Sequence, residues 1–188
     1  MRRLLSVVVL LGAAALLSSC ALLPGRVGLR DDDYGKAEAR MVQIADALKS
    51  HDAAALKGMF SPYALDRATA IDEGLDYVLS FFPSGEITWQ ENTVNSKDAA
   101  SHGKKSELLL AYYKVSASGN DYWLYFADFT VNDVVNPENV GIYALGVASW
   151  VEDTRSPEVE PFFRWAAAVD LEGSGTDGYP GIWVPPAS

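Results

Sequence analysis

The chain has 188 residues, 49% of them hydrophobic and 21% charged, which suits one globular domain able to bury its own core plus an appendage. Its formal charge is −10, and without Arg2 and Arg3 it holds 13 basic against 25 acidic residues, or −12. A surface of that sign repels phosphate, which excludes nucleic acid from the expected partners and argues against docking of the body on an anionic membrane.

Two arginines, the apolar run "LLSVVVLLGAAALL" (Leu4–Leu17) and the small residues "SSC" follow the order of a secretory signal. "LSSC" resembles the bacterial lipobox, in which the cysteine behind small residues is diacylated and becomes the mature N-terminus. The competing reading is an uncleaved membrane helix from Leu4 to Leu23, stopped by Pro24-Gly25. The serines and the cysteine are needless in a span, so lipidation at Cys20 is expected, with a bacterial signal peptide over 1–19 and a lipid-anchored tether over 20–33. Cys20 is the one cysteine in the chain. That leaves no partner for an internal disulfide or a thiolate metal site, and no folded scaffold to activate the thiol. The expected address is the extracytoplasmic face of the cell membrane.

The remaining 34–188 reads as one α+β domain. Asp33 is placed to cap a helix over Tyr34–Ser50, with Tyr34, Ala37, Met41, Ile44, Ala45 and Leu48 on one stripe and Lys36, Arg40, Gln43 and Lys49 facing away. Asp52 caps a second helix whose apolar side is Leu56, Met59 and Phe60, and Ser61-Pro62 starts a third that runs through Asp66. Thr69 with Asp72 three residues on has the spacing of a capping box, ahead of the stripe Ile71, Leu75, Val78, Leu79 and Phe82. From Glu86 the pattern becomes aromatic and β-branched, in "EITWQENTV", "KSELLLAYYKVSA", "DYWLYFADFTVND" and "NVGIYALGVASWV". "SKDAASHGK" reads as a turn, "SASGND" as a hairpin closure and "VNPEN" as the last connection. Helices followed by antiparallel strands give an α+β order. The tail offers a helix in "PEVEPFFRWAAAVD" and then the turn-rich "GSGTDGYPGIWVPP".

Period-two alternation puts Leu108, Leu110, Tyr112, Tyr122, Leu124, Phe126 and Asp128 on one expected face of the sheet. The other face takes Leu109, Ala111, Tyr113, Trp123, Tyr125, Phe129 and Val131. Both are too apolar for water; the early helices cover one, and the tail helix or a second subunit must cover much of the other.

"DAAALKGMFSPYAL" resembles the second-helix region of nuclear transport factor 2-like domains. Together with "HGKKSELLLAYYKV", "NPENVGIYAL" and "GTDGYPGIWV", it makes the chain from about Tyr34 to Val184 resemble the domain of unknown function 5104 family of bacterial envelope lipoproteins. The resemblance implies N-terminal helices on a strongly curved antiparallel sheet that encloses a cone-shaped pocket. It implies no reaction and no catalytic motif.

Few residues carry chemistry. His51 lies at a helix junction and His102 in a polar turn, neither near a second histidine or a spaced carboxylate pair, so no metal is expected. "DDD" (Asp31–Asp33) lacks the alternating spacing of a calcium loop, "GSGTDG" lacks the lysine of a phosphate cradle, and no "GxSxG" occurs. No cofactor is expected. Asp128 is the exception, a carboxylate in an aromatic strand. Dry and beside tyrosines it has the makings of a general base with a raised pKa; at the sheet rim it is solvated or paired with a nearby Lys or Arg. Tyr112, Phe126, Asp128 and Trp150 are the candidate pocket residues, with Tyr112 and Trp150 also plain core candidates.

The expected function is a lipid-anchored, non-catalytic envelope module that binds a small apolar or aromatic ligand or an envelope protein. The alternatives are an isomerase- or dehydratase-like enzyme using Asp128 with a tyrosine, and a structural homodimerisation module.

Overall fold

The computed structural model describes residues 29–83, 85–102, 104–132, 137–172 and 180–185. Cys20, the signal, most of the tether and the "GSGTDG" turn lie outside the described residues. The residues from Asp32 onward group into one compact unit. Among the described residues no helix is long and apolar enough to cross a membrane.

Four helices come first: α1 Leu29–Ser50, α2 Ala53–Lys57, α3 Pro62–Arg67 and α4 Ile71–Ser80. The expected stripe of α1 is its buried face, with Ala37, Met41, Ile44, Ala45 and Leu48 shut off from solvent. The helix starts earlier than Asp33 predicts. Asp32 and Asp33 lie inside its first turns, where carboxylates suit the positive end of the helix dipole. It ends at His51, whose left-handed backbone (φ 51°) lets Asp52 N–H reach the Ala47 carbonyl at 2.9 Å. Asp52 and Ser61 cap as expected, accepting from Ala55 N at 2.8 Å and Ala64 N at 3.1 Å. The Thr69–Asp72 capping box does not form. Ala70 sits at the N-cap with φ 59°, and Asp72 instead accepts a bond from Lys57 Nζ at 2.6 Å.

The sheet is curled and unclosed, in the order β1-β2-β3-β4-β5. Its strands are β1 Ile87–Ser101, β2 Lys104–Ala117, β3 Asn120–Asn132, β4 Gly141–Ser149 and β5 Gly181–Ile182. β1 to β4 are antiparallel, while β5 joins β4 in parallel. "SKDAASHGK" is mostly strand rather than turn: β1 pairs with β2 out to Ser101↔Lys104. Between β3 and β4, Pro137–Asn139 form a 3-10 turn, and helix α5 (Glu160–Glu172) precedes β5.

The β2–β3 turn decides the faces. Ala117 pairs with Asn120, leaving only Ser118 and Gly119 in the turn, both with positive φ (51° and 80°) as a type I′ turn requires. Two turn residues place the even-numbered residues of β2 from Leu108 onward opposite odd-numbered ones of β3: Tyr112 meets Tyr125, and Ala111 meets Phe126. A register shift between Glu107 and Leu108 changes the parity beyond it. The alternation within each strand is as expected, but the expected phasing between the strands is wrong. Leu109, Ala111, Tyr113, Leu124 and Phe126 share one core with α1, α2 and α4. Leu108, Leu110, Trp123, Tyr125 and Phe129, with Tyr112 against them, share a second core with Phe162, Ala166 and Val169 of α5. The tail helix covers the second face, as the apolar count requires.

α5 lies so close to the sheet that a Cβ on Gly146 would come within 2.7 Å of Phe162 and 2.9 Å of Trp165. Gly146→Ala is therefore expected to lower stability by about 1–3 kcal/mol, the usual penalty of overpacking. Gly35→Ala, on an exposed turn of α1 with nothing within 4 Å, should raise it by about 0.5–1 kcal/mol. Urea unfolding midpoints of the two variants check both signs.

Candidate functional site

Two polar features stand out among the described residues: a charged seam between α1 and the sheet, and an open groove at the β2–β3 turn.

The seam is built from one helical spacing. Lys36 and Arg40 are four residues apart on α1, so they project along the same side of the helix. Arg40 grips Asp128 with two nitrogens, Nε to Oδ2 at 2.6 Å and Nη2 to Oδ1 at 3.4 Å. Lys36 Nζ lies 2.6 Å from Glu107 Oε1 and 2.7 Å from Asp32 Oδ2. Lys105 and Thr130 donate to the same Glu107 carboxylate. Ser96 Oγ donates to Asp33 at 2.6 Å and Trp89 Nε1 to Glu38 at 3.0 Å, which ties α1 to β1 as well. The expectation that Lys36 and Arg40 face away is thus corrected. Glu107 and Asp128 are each 2% exposed, and a buried carboxylate is too costly to leave unpaired, so the two cations fold back to meet them.

The two carboxylates are tuned in opposite directions. Burial opposes ionisation of Glu107, but hydrogen bonds from Lys105, Lys36 and Thr130 together outweigh it and hold the carboxyl at about 2. The hydrogen bonds to Asp32 and Glu107 raise Lys36. At Asp128 burial wins: it raises the carboxyl, and the Arg40 hydrogen bond and charge offset it only in part.

The groove has a volume of about 690 Å3 and is lined by Ser80, Phe81, Gly119, Asn120, Asp121, Tyr122, Ser149 and Trp150. It lies between the end of α4, the β2–β3 turn and the end of β4. Asp121 sits under it with both oxygens engaged, Oδ2 by Lys114 Nζ at 2.6 Å and Oδ1 by Ser116 Oγ at 2.5 Å, and these bonds lower its pKa. Its carbonyl accepts from Trp150 N at 3.0 Å. The Trp150 ring stacks on Trp123 at 3.9 Å, and Lys114 Nζ lies 4.7 Å from the Trp150 centroid. Phe81 and Tyr122 meet edge to face at 5.4 Å.

The four candidate pocket residues do not converge. Phe126 is fully buried in the α1 core and stacks on Tyr113 at 6.0 Å. Tyr112 is on the opposite face, 4.7 Å from Tyr125 and 5.9 Å from Phe163. The shared face expected for Tyr112, Phe126 and Asp128 does not exist, because the two-residue turn phases β2 against β3. Asp128 is on the α1 side and held by Arg40, and Trp150 alone of the four lines the groove. His51 Nε2 bonds the Phe82 carbonyl, while His102 occupies the β1–β2 turn. Among the described residues no group of three or more His, Cys, Asp or Glu side chains is arranged to hold a metal. Lys36, Arg40, Glu107, Lys114 and Asp121 were not singled out from the sequence as site residues. The available signal was a pair of acids in apolar strands beside an i, i+4 pair of cations on a helix.

A family model described as Domain of unknown function (DUF5104) matches residues 43–152, more than half of the chain. The chain belongs to that family. The matched segment contains Glu107, Asp128 and every lining residue of the groove, while Lys36, Arg40 and α5 lie outside it. No curated protein and no solved structure matches the chain.

Arg40→Met leaves Asp128 buried without its counter-ion and is expected to lower stability by about 3 kcal/mol. Arg40→Met with Asp128→Leu should recover most of that loss, as a double-mutant cycle in urea reads directly. Glu107 sets an acid limit. Its depressed pKa contributes stability that is complete above 4.5 and is lost as the pH falls toward 2. Stability measured across that window should fall steeply in the wild type and more gently in Glu107→Gln.

Proposed function

We propose that this family member is a lipid-anchored, extracytoplasmic module of nuclear transport factor 2-like fold that binds a small ligand at the Trp150 groove and does no chemistry on it. The observation that carries the reading is the separation of its two candidate features. Asp128, the strongest candidate for a general base, spends both oxygens on Arg40 and lies in the seam. Trp150, a candidate binding residue, lines an open groove. A base must lie within reach of the proton that it removes, and Asp128 is buried, ion-paired to Arg40 and absent from the lining of the groove. Tyr112 and Phe126 are occupied in two separate cores, which supports moving the expected ligand from the interior of the curved sheet to the groove.

The anchor reading rests on "LSSC" behind the apolar run. Two acyl chains hold a protein on a bilayer firmly, each buried CH₂ contributing about 0.8 kcal/mol. α1 starts at Leu29, soon after Cys20, and is tied to the sheet through Asp33, Lys36, Glu38 and Arg40. Such ties suit a helix that takes the pull of a tether.

Cys20→Ala is the test of the anchor. In a bacterial host it should abolish incorporation of a palmitate analogue and leave the precursor uncleaved by the lipoprotein signal peptidase. Undiminished labelling of that variant would contradict the assignment.

A further inference from the structure

We propose that the Trp150 groove takes a neutral, hydroxyl-rich sugar ring within a glycan chain, a proposal that rests on the groove being the ligand site. The groove carries no uncompensated charge of its own: Asp121 is the one carboxylate among the lining residues, and Lys114 and Ser116 each bond one of its oxygens. Hydrogen-bonding groups are dense there. Ser80, Asn120, Asp121 and Ser149 stand around one opening, and a carboxylate oxygen that already accepts one bond keeps a lone pair for another. An apolar ligand would strip water from these groups and return nothing. A polyol replaces each lost water with a hydroxyl.

The apolar side comes from Phe81 and Tyr122, half-buried and kept in place by ring contacts with Tyr77 and Phe82. Trp150, stacked on Trp123 with Lys114 Nζ over its ring, borders the groove. A sugar ring has the matching division, with hydroxyls at its rim and C–H groups on its faces. Asn120 and Asp121 are pre-positioned by the two-residue turn and the Lys114–Asp121 pair, so little ordering is needed on binding. The groove is open rather than enclosed, which suits one unit of a polymer better than a metabolite that is swallowed whole.

The test uses the full chain in detergent micelles and follows backbone and indole N–H resonances. Maltotetraose and triacetylchitotriose are titrated separately, with choline as the cationic probe and indole as the apolar one. One of the two glycans should shift Asn120, Tyr122 and the Trp150 indole saturably, with half-saturation at about 1 mM or below. Ser149→Arg, which fills the groove from an exposed position, should weaken the effect at least about tenfold. Asn120→Ala is the second variant if Ser149→Arg disturbs resonances elsewhere. Glycan shifts that survive both substitutions, or no glycan shift at all, overturn the proposal. If choline or indole moves the same resonances and the glycans do not, the ligand class is wrong and the groove is still the ligand site. If no probe touches the groove, both readings fall.

Discussion

The turn at Ser118–Gly119 controls more of this molecule than any contact in its core. Two residues, both with positive φ, are the shortest connection that lets β2 fold back on β3 with the natural strand twist. That length sets the parity of the pairing, and the parity sends Tyr112 to the α5 side and Phe126 to the α1 side. A turn one residue longer would exchange the faces of β3 and drive Asp128 away from Arg40. The seam, the two cores and the site all inherit this register.

Both faces of the central hairpin are apolar, so the sheet is stable only when covered twice. α1 to α4 supply one cover and α5 the other, close enough for ring contact at Gly146. Among the described residues Glu107 and Asp128 are the buried charged side chains, and α1 brings the cations that they need. Replacing such a pair by apolar residues often costs little. Its contribution lies in position: Arg40 has one place to go, so the helix cannot slide along the sheet without stranding a buried charge.

Much of the fold was legible because its signals are local. The stripe of α1, the Asp52 and Ser61 caps, the Ile71–Phe82 stripe and the strand texture from Ile87 onward all depend on neighbours within a turn or a strand. The Thr69–Asp72 box fails because the helix starts one residue later, with Ala70 in the left-handed region as its N-cap, and Asp72 pairs with Lys57 instead; sequence spacing reveals neither. β5 was missed because two residues in a turn-rich tail become a strand only where β4 offers them an edge. The site was the least legible part. Asp128 was visible as an anomaly, and its pairing with a Lys or Arg was one of two readings open from sequence. Its partner on α1 was placed on the wrong side, because helical periodicity cannot see a carboxylate 88 positions away. The parity error had a local cure: a two-residue turn in "SASGND" implies opposite parity, and the strand faces followed from it.

The β2–β3 register underlies both cores, the seam and the groove, and ring-to-ring nuclear Overhauser contacts measure it most directly. With aromatic residues selectively labelled, Tyr112 should show contacts to Tyr125 and Phe163, and Phe126 to Tyr113, as their centroid distances of 4.7, 5.9 and 6.0 Å require. Contacts between Tyr112 and Phe126, without those to Tyr125 and Phe163, would place both rings on one face. That result would contradict the register and return the ligand site to the interior of the sheet.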